Sequence, residues 1–86
     1  MWVVELRFTD DTQRLAARPA HRRVLEGLHR DGQIVMAGPL ADDSGALLVF
    51  DVATRDQLQR LLDDDPYYAI PGVELRDVRE WAPIFP

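Results

Sequence analysis

Absences set the first limits on this chain. It has no cysteine, so disulfides, thiolate nucleophiles, iron–sulfur clusters and zinc–thiolate centres are excluded. It has no lysine either: all ten basic residues are arginine, which removes Schiff-base chemistry and a lysine general base. The single serine, Ser44, lies in the turn-like "DDSG", so a serine–histidine–acid triad has no credible nucleophile. No run approaches the roughly 18 apolar residues of a membrane span. The start, "MWVVELRF", lacks the basic lead and cleavage site of a signal peptide, and a cytoplasmic protein is expected. Positive charge is also scarce. Fifteen acidic residues face ten basic ones, for a net charge of −5 with no basic run, which argues against nucleic acid or an anionic membrane as partner. Two histidines, carboxylates, arginines, three threonines and two tyrosines remain for chemistry.

A chain of 86 residues is expected to form one domain, 1–86, with a core small enough that a second subunit would help it. "MWVVELRF" alternates, with Trp2, Val4, Leu6 and Phe8 on one face, and reads as a strand with one buried side. Pro19 is expected in the first turn of a helix starting at Arg18 or Pro19, ending near Asp31 with Gly32 as its stop. "QIVMAGPL" and "ALLVFDV" flank "ADDSG" as a hairpin whose strands are apolar on both faces. "TRDQ" (54–57) has the spacing of a capping box opening a second helix with Leu58, Leu61 and Leu62 inward, and Pro66 ends it. "VELRDVREW" is the last strand, with a bulge expected near Asp77 because Val78 breaks the parity of Val73 and Leu75. The order β-α-β-β-α-β is that of an α+β, ferredoxin-like fold with a four-stranded antiparallel sheet. Two helices cover only one face of such a sheet, so the apolar second face calls for a second copy, packed sheet to sheet as a dimeric α/β barrel.

Two features carry the candidate chemistry. His21 lies three, four and seven residues before Val24, Leu25 and Leu28, on the stripe a helix turns to its core. Asp63, Asp64 and Asp65 end the second helix, where carboxylates oppose the helix dipole by roughly 0.3–1 kcal/mol each. Taken alone, His21 reads as a core histidine bonded to a backbone carbonyl and the acidic run as a solvated helix end. The other reading pairs His21 with Asp65. A carboxylate holds an imidazole in one tautomer and raises its pKa above the ordinary value of about 6.5, while burial opposes it. Arg18, one turn before His21, suits a bidentate clamp on a substrate carboxylate, or a surface salt bridge. Tyr67 and Tyr68 flank the pair, Gly38 and Pro39 are expected to let backbone approach closely at a strand end, and Trp81 suits the dimer interface. His29 falls about 80° around the helix from His21. The two cannot share a metal, so neither a metal nor a cofactor is expected.

"RPAH" (18–21), "GQIVMAGPL" (32–40), "DDPYYAIPG" (64–72) and "VREW" (78–81) together resemble the YciI-like family, the YCII-related domain, across nearly the whole chain. The resemblance implies a ferredoxin-like α/β fold that dimerises through its sheets, as muconolactone isomerase-like proteins do. It also implies a His–Asp active-site pair, carried here by His21 and Asp65. One resembling branch eliminates chloride from chlorinated hydroxyquinones. The expected function is therefore a cofactor-independent enzyme moving protons on a small, cyclic, anionic substrate, as an isomerase or a lyase. The alternative is a non-catalytic dimeric module that binds a small ligand or a partner protein. Two departures bear on the substrate: "ADDSG" is short where relatives carry longer glycine-rich loops, and "YYAIPG" has an extra proline before Gly72.

Overall fold

In a computed structural model, which describes residues 1–85, the chain forms strand β1 (Trp2–Phe8), helix α1 (Gln13–Arg30), strands β2 (Ile34–Pro39) and β3 (Gly45–Phe50), and helix α2 (Arg55–Asp64). A one-turn 3-10 helix (Pro66–Ala69) and strand β4 (Val73–Glu80) complete it. The sheet order is β2-β3-β1-β4 and every pairing is antiparallel, the ferredoxin-like arrangement. The side chains of Val4, Leu6, Leu48, Phe50 and Leu58 are fully buried between the sheet and the helices. Each contributes roughly 1.5–3 kcal/mol by leaving water. No helix among the described residues is long and apolar enough to cross a membrane.

Local signals account for most boundaries. At α2, Thr54 Oγ1 accepts from Gln57 N at 3.1 Å and Gln57 Oε1 accepts from Thr54 N at 3.2 Å, the expected capping box. Gly32 stops α1 at φ +79°, and Gln33 N returns to Leu28 O at 2.9 Å. The β4 bulge is present: Glu5 pairs with Asp77 and Leu6 with Leu75, leaving Arg76 as the extra residue.

The start of α1 corrects the sequence reading. The helix begins at Gln13, not at Arg18 or Pro19, and Pro19 is its seventh residue. A proline there leaves the Leu15 carbonyl without its helical donor. Leu15 is 45% exposed and Pro19 faces out beside it, so water reaches the freed carbonyl. Asp11 Oδ1 accepts from Gln13 N at 2.9 Å and anchors the true N-terminus. Val24, expected on the inward stripe, lies at its margin and is 40% exposed; Ala17, His21, Leu25 and Leu28 form the inner face.

The second face of the sheet carries Val3, Met36, Leu47 and Val49 by register, with Trp81 at its edge. Met36 (63%) and Leu47 (43%) are exposed there, as the two-sided apolar runs foretold. The β1–β4 half of the same face is charged, with Glu5 and Arg76 3.8 Å apart.

Candidate functional site

Pro66 shapes the centre of the site. A residue before proline is driven out of the α region, and Asp65 accordingly takes φ −113°, ψ 109° at the end of α2. Asp65 is therefore not a residue of the last helical turn, as the sequence suggested, but the N-cap of the 3-10 helix. Its Oδ1 accepts from Tyr67 N at 3.0 Å. Its Oδ2 lies 2.6 Å from His21 Nδ1, with both side chains at least nine-tenths buried. The structure thus brings together the two residues that the sequence singled out.

The imidazole is held on one face, along one edge and at Nδ1. Tyr67 stacks on it with centroids 3.9 Å apart and planes 7° from parallel, and Tyr68 meets it edge-on at 5.4 Å. Burial pushes the His21 pKa down, the Asp65 hydrogen bond and charge push it up, and burial wins, so it lies below 6.5. This reverses the sequence expectation, because the depth of burial outweighs the carboxylate. A neutral ring donates Nδ1–H to Asp65, which leaves Nε2 as the nitrogen able to accept a proton. Burial, followed by the charges of Asp65 and Tyr67, raises the Tyr68 phenol well above its usual range and keeps it protonated.

His21 forms part of the wall of a cleft of about 40 Å³ between α1 and the ends of β2 and β3, together with Phe8, Arg18, Gly38, Pro39 and Tyr67. Arg18, Gly38 and Tyr67, the sequence candidates for substrate contacts, all reach this wall. Arg18 is engaged: its Nη2 lies 3.3 and 3.4 Å from the two carboxylate oxygens of Asp43. Gly38 is not needed for a close approach within the chain, since a Cβ there meets nothing within 4 Å. The glycines that do admit backbone are Gly45, against the Leu6 carbonyl, and Gly72, against the Asp11 carbonyl at φ +96°. His29 is exposed, as expected.

Two residues, Arg14 and Asp43, escaped the sequence reading. Arg14 is buried on α1 with its guanidinium carbon 4.2 Å from the Phe8 ring centroid, and its Nη2 donates to Asp43 Oδ2 at 3.3 Å. Asp43 sits in the hairpin loop at φ +57°. Desolvation raises its carboxyl, and the charges of Arg14 and Arg18 lower it to a net value below the usual one. Arg14 precedes His21 by seven residues, two helical turns on the same face, which a helix begun at Arg18 concealed.

The fold and the buried His–Asp pair define a ferredoxin-like α+β protein with one titratable pair at a cleft. The YCII-related domain matches residues 1–82, and the chain belongs to that family. Protein YciI of Escherichia coli and Protein YciI of Shigella flexneri are each 29% identical over 83 residues, covering 85% of this chain and 85% of theirs. A solved structure of 5-chloro-2-hydroxyhydroquinone dehydrochlorinase from Burkholderia phenoliruptrix, in complex with 2,5-dihydroxybenzoquinone, resembles it with a TM-score of 0.65. That likeness covers 95% of this chain and 94% of that one at 17% identity, and it speaks for the fold.

Proposed function

We propose that this protein is a cofactor-independent enzyme that transfers a proton on a small, cyclic, anionic substrate, as an isomerase or a dehydrochlorinase-type lyase. The observation that carries the reading is the 2.6 Å contact between His21 Nδ1 and Asp65 Oδ2 beside a cleft. With Nδ1 committed, Nε2 is the general base, Asp65 is its positioning partner, and Tyr67 fixes the ring plane. In an isomerisation Nε2 takes a proton from one substrate atom and returns it at another. In a dehydrochlorination of a chlorinated hydroxylated ring it takes the hydroxyl proton of the keto tautomer. The O–H electron pair becomes a carbonyl π bond, the ring π pair shifts, and chloride leaves from the sp3 C–Cl carbon. Arg18 serves as anchor for the substrate anion.

The working form in this reading is a homodimer. Met36, Leu40, Leu47 and Trp81 leave an apolar band on the sheet face opposite the helices. Two such faces would bury on the order of 800 Å² each in a standard interface. Sedimentation at micromolar concentration is expected to give about twice the 9.8 kDa chain mass, and a clean monomer would refute sheet-to-sheet packing.

One observation favours the rival, a non-catalytic module: His21 is only 7% exposed and the cleft holds about 40 Å³. The two are separated by exchange of the ring protons of 2,5-dihydroxybenzoquinone with D2O, and by chloride release from 5-chloro-2-hydroxyhydroquinone. His21→Gln is expected to slow whichever reaction the wild type accelerates by roughly 10²–10⁴-fold. Equal rates with wild type and His21→Gln would leave the binding module as the answer.

A further inference from the structure

Helix α1 carries two arginines that share one carboxylate. Arg14 is 9% exposed, yet among the described residues its Nε and Nη1 have no hydrogen-bond partner. Only its Nη2 is used, 3.3 Å from Asp43 Oδ2. Arg18 Nη2 reaches the same carboxylate at 3.3 and 3.4 Å. All three distances exceed the roughly 2.7–2.9 Å of a good charge-assisted bond. Two cations on one anion leave an excess positive charge, and two buried donors lack acceptors. Nothing seals the place that Asp43 fills, because its side chain is 46% exposed.

The volume of the neighbouring cleft points the same way. About 40 Å³ is far short of the roughly 150 Å³ of a cavity that takes up benzene. A cyclic ligand against His21 therefore needs the wall to open. Asp43 ties the hairpin loop to α1 through Arg14 and Arg18, and Arg18 is itself part of that wall.

We propose that Arg14 and Arg18 form a subsite for the carboxylate of a small molecule bound against His21, and that Asp43 is an internal stand-in which the ligand displaces. The proposal rests on the reading of the His21 cleft as a binding site. A ligand carboxylate, free of the geometry that the loop imposes on Asp43, can take bidentate bonds from the forks of both arginines. Loss of the Asp43 contacts unties the loop from α1 and frees Arg18 in the cleft wall. The arrangement favours ligands whose carboxylate lies about one helical turn from the atom that meets Nε2 over analogues that lack one.

The test uses benzoate as the probe, titrated into the full chain while NMR follows the His21 ring proton and the Nε–H signals of Arg14 and Arg18. The proteins are wild type, Asp43→Asn, Arg14→Lys and Arg18→Gln. Asparagine tolerates a left-handed backbone, so Asp43→Asn preserves the turn. Removing the competing carboxylate is expected to tighten benzoate binding roughly fivefold. Arg14→Lys and Arg18→Gln are each expected to weaken it by roughly tenfold or more. Arginine and histidine signals should move with one dissociation constant. Unchanged affinity in Asp43→Asn, or arginine signals that stay still while His21 moves, would overturn the subsite and leave the cleft reading standing. Arginine signals that move without His21 would keep an anion site and refute its link to the cleft. Silence of all three signals in Asp43→Asn would sink both.

Discussion

Replacing Asp65 with alanine removes two buried hydrogen bonds with one side chain. The first, 2.6 Å to His21 Nδ1, joins groups whose side chains are 8% and 4% exposed. A charge-assisted bond in that setting contributes roughly 1.5–3 kcal/mol. The second, 3.0 Å from Tyr67 N, caps the 3-10 helix, and such a cap contributes about 1 kcal/mol. Relief of a carboxylate near the end of α2 returns roughly 0.3–1 kcal/mol. The expected net loss is about 2–3 kcal/mol. In a domain of this size each kcal/mol moves the Tm by roughly 4–8 °C, so Asp65→Ala should melt about 10–20 °C below wild type. Thermal unfolding at pH 7 and one fixed protein concentration measures it, since association also shifts Tm. Asp65→Asn separates stability from orientation. Its amide oxygen can keep the Tyr67 N–H, and its NH2 then faces Nδ1 and forces the Nε2–H tautomer. That variant should lose less stability, yet present a protonated Nε2 to the cleft, as long-range 1H–15N spectra of the imidazole would show. The reasoning fails if Asp65→Ala melts within about 4 °C of wild type, or if Asp65→Asn keeps its proton on Nδ1.

An NMR titration should place the His21 pKa below 6.5, with exposed His29 as internal control, and Asp65→Ala should lower it further because the carboxylate raises it. Since the unfolded chain then binds more protons than the folded one, His21 costs stability as pH falls from about 6.5 toward its folded value and is neutral in effect above that window. A His21 pKa above about 6.5 would show the carboxylate outweighing burial. Among the described residues no group of three or more His, Cys, Asp and Glu side chains is placed to hold a metal ion. Any proton-transfer activity should therefore survive a chelator, and loss restored by zinc or manganese would refute the assignment. Gly72→Ala should destabilise by about 2 kcal/mol or more, because a Cβ at φ +96° runs into the Asp11 carbonyl. An unchanged Tm would mean that the β4 entry yields more easily than its geometry suggests.

Signals that act over one turn or one strand were legible in the chain: the alternation of β1, the Thr54–Gln57 box, the Gly32 stop and the bulge beside Asp77. Pro19 misled, because a proline in the first turn and a proline on the wet side of a longer helix look alike without knowledge of which side is wet. That single ambiguity hid Arg14 and, with it, the two-arginine cluster. The contacts of Arg14 and Arg18 with Asp43 span 29 and 25 residues and follow no local pattern; only the packing of the hairpin loop on α1 creates them. The direction of the His21 pKa shift was likewise beyond the sequence. The resemblance to the YciI-like family implied the carboxylate partner, but the depth of burial that outweighs it is a property of the whole fold.

The acidic run before Pro66 shows how one residue converts a liability into a site. Three carboxylates at a helix C-terminus oppose the dipole, and a helix needs none of them there. Asp63 and Asp64 stay on the helix and face solvent, where screening makes the opposition slight; Asp63 Oδ1 accepts from Gln59 at 2.8 Å. Asp65 escapes the helix altogether, because the proline that follows forbids it the α region. Its extended backbone places one oxygen on the Tyr67 amide and the other on His21. The same turn carries Tyr67 onto the face of the imidazole. The helix stop, the orienting carboxylate and the stacking wall therefore depend on Pro66 together. A substitution such as Pro66→Ala lets α2 continue through Asp65, and it should disturb the His21 tautomer even though Pro66 touches neither ring nitrogen.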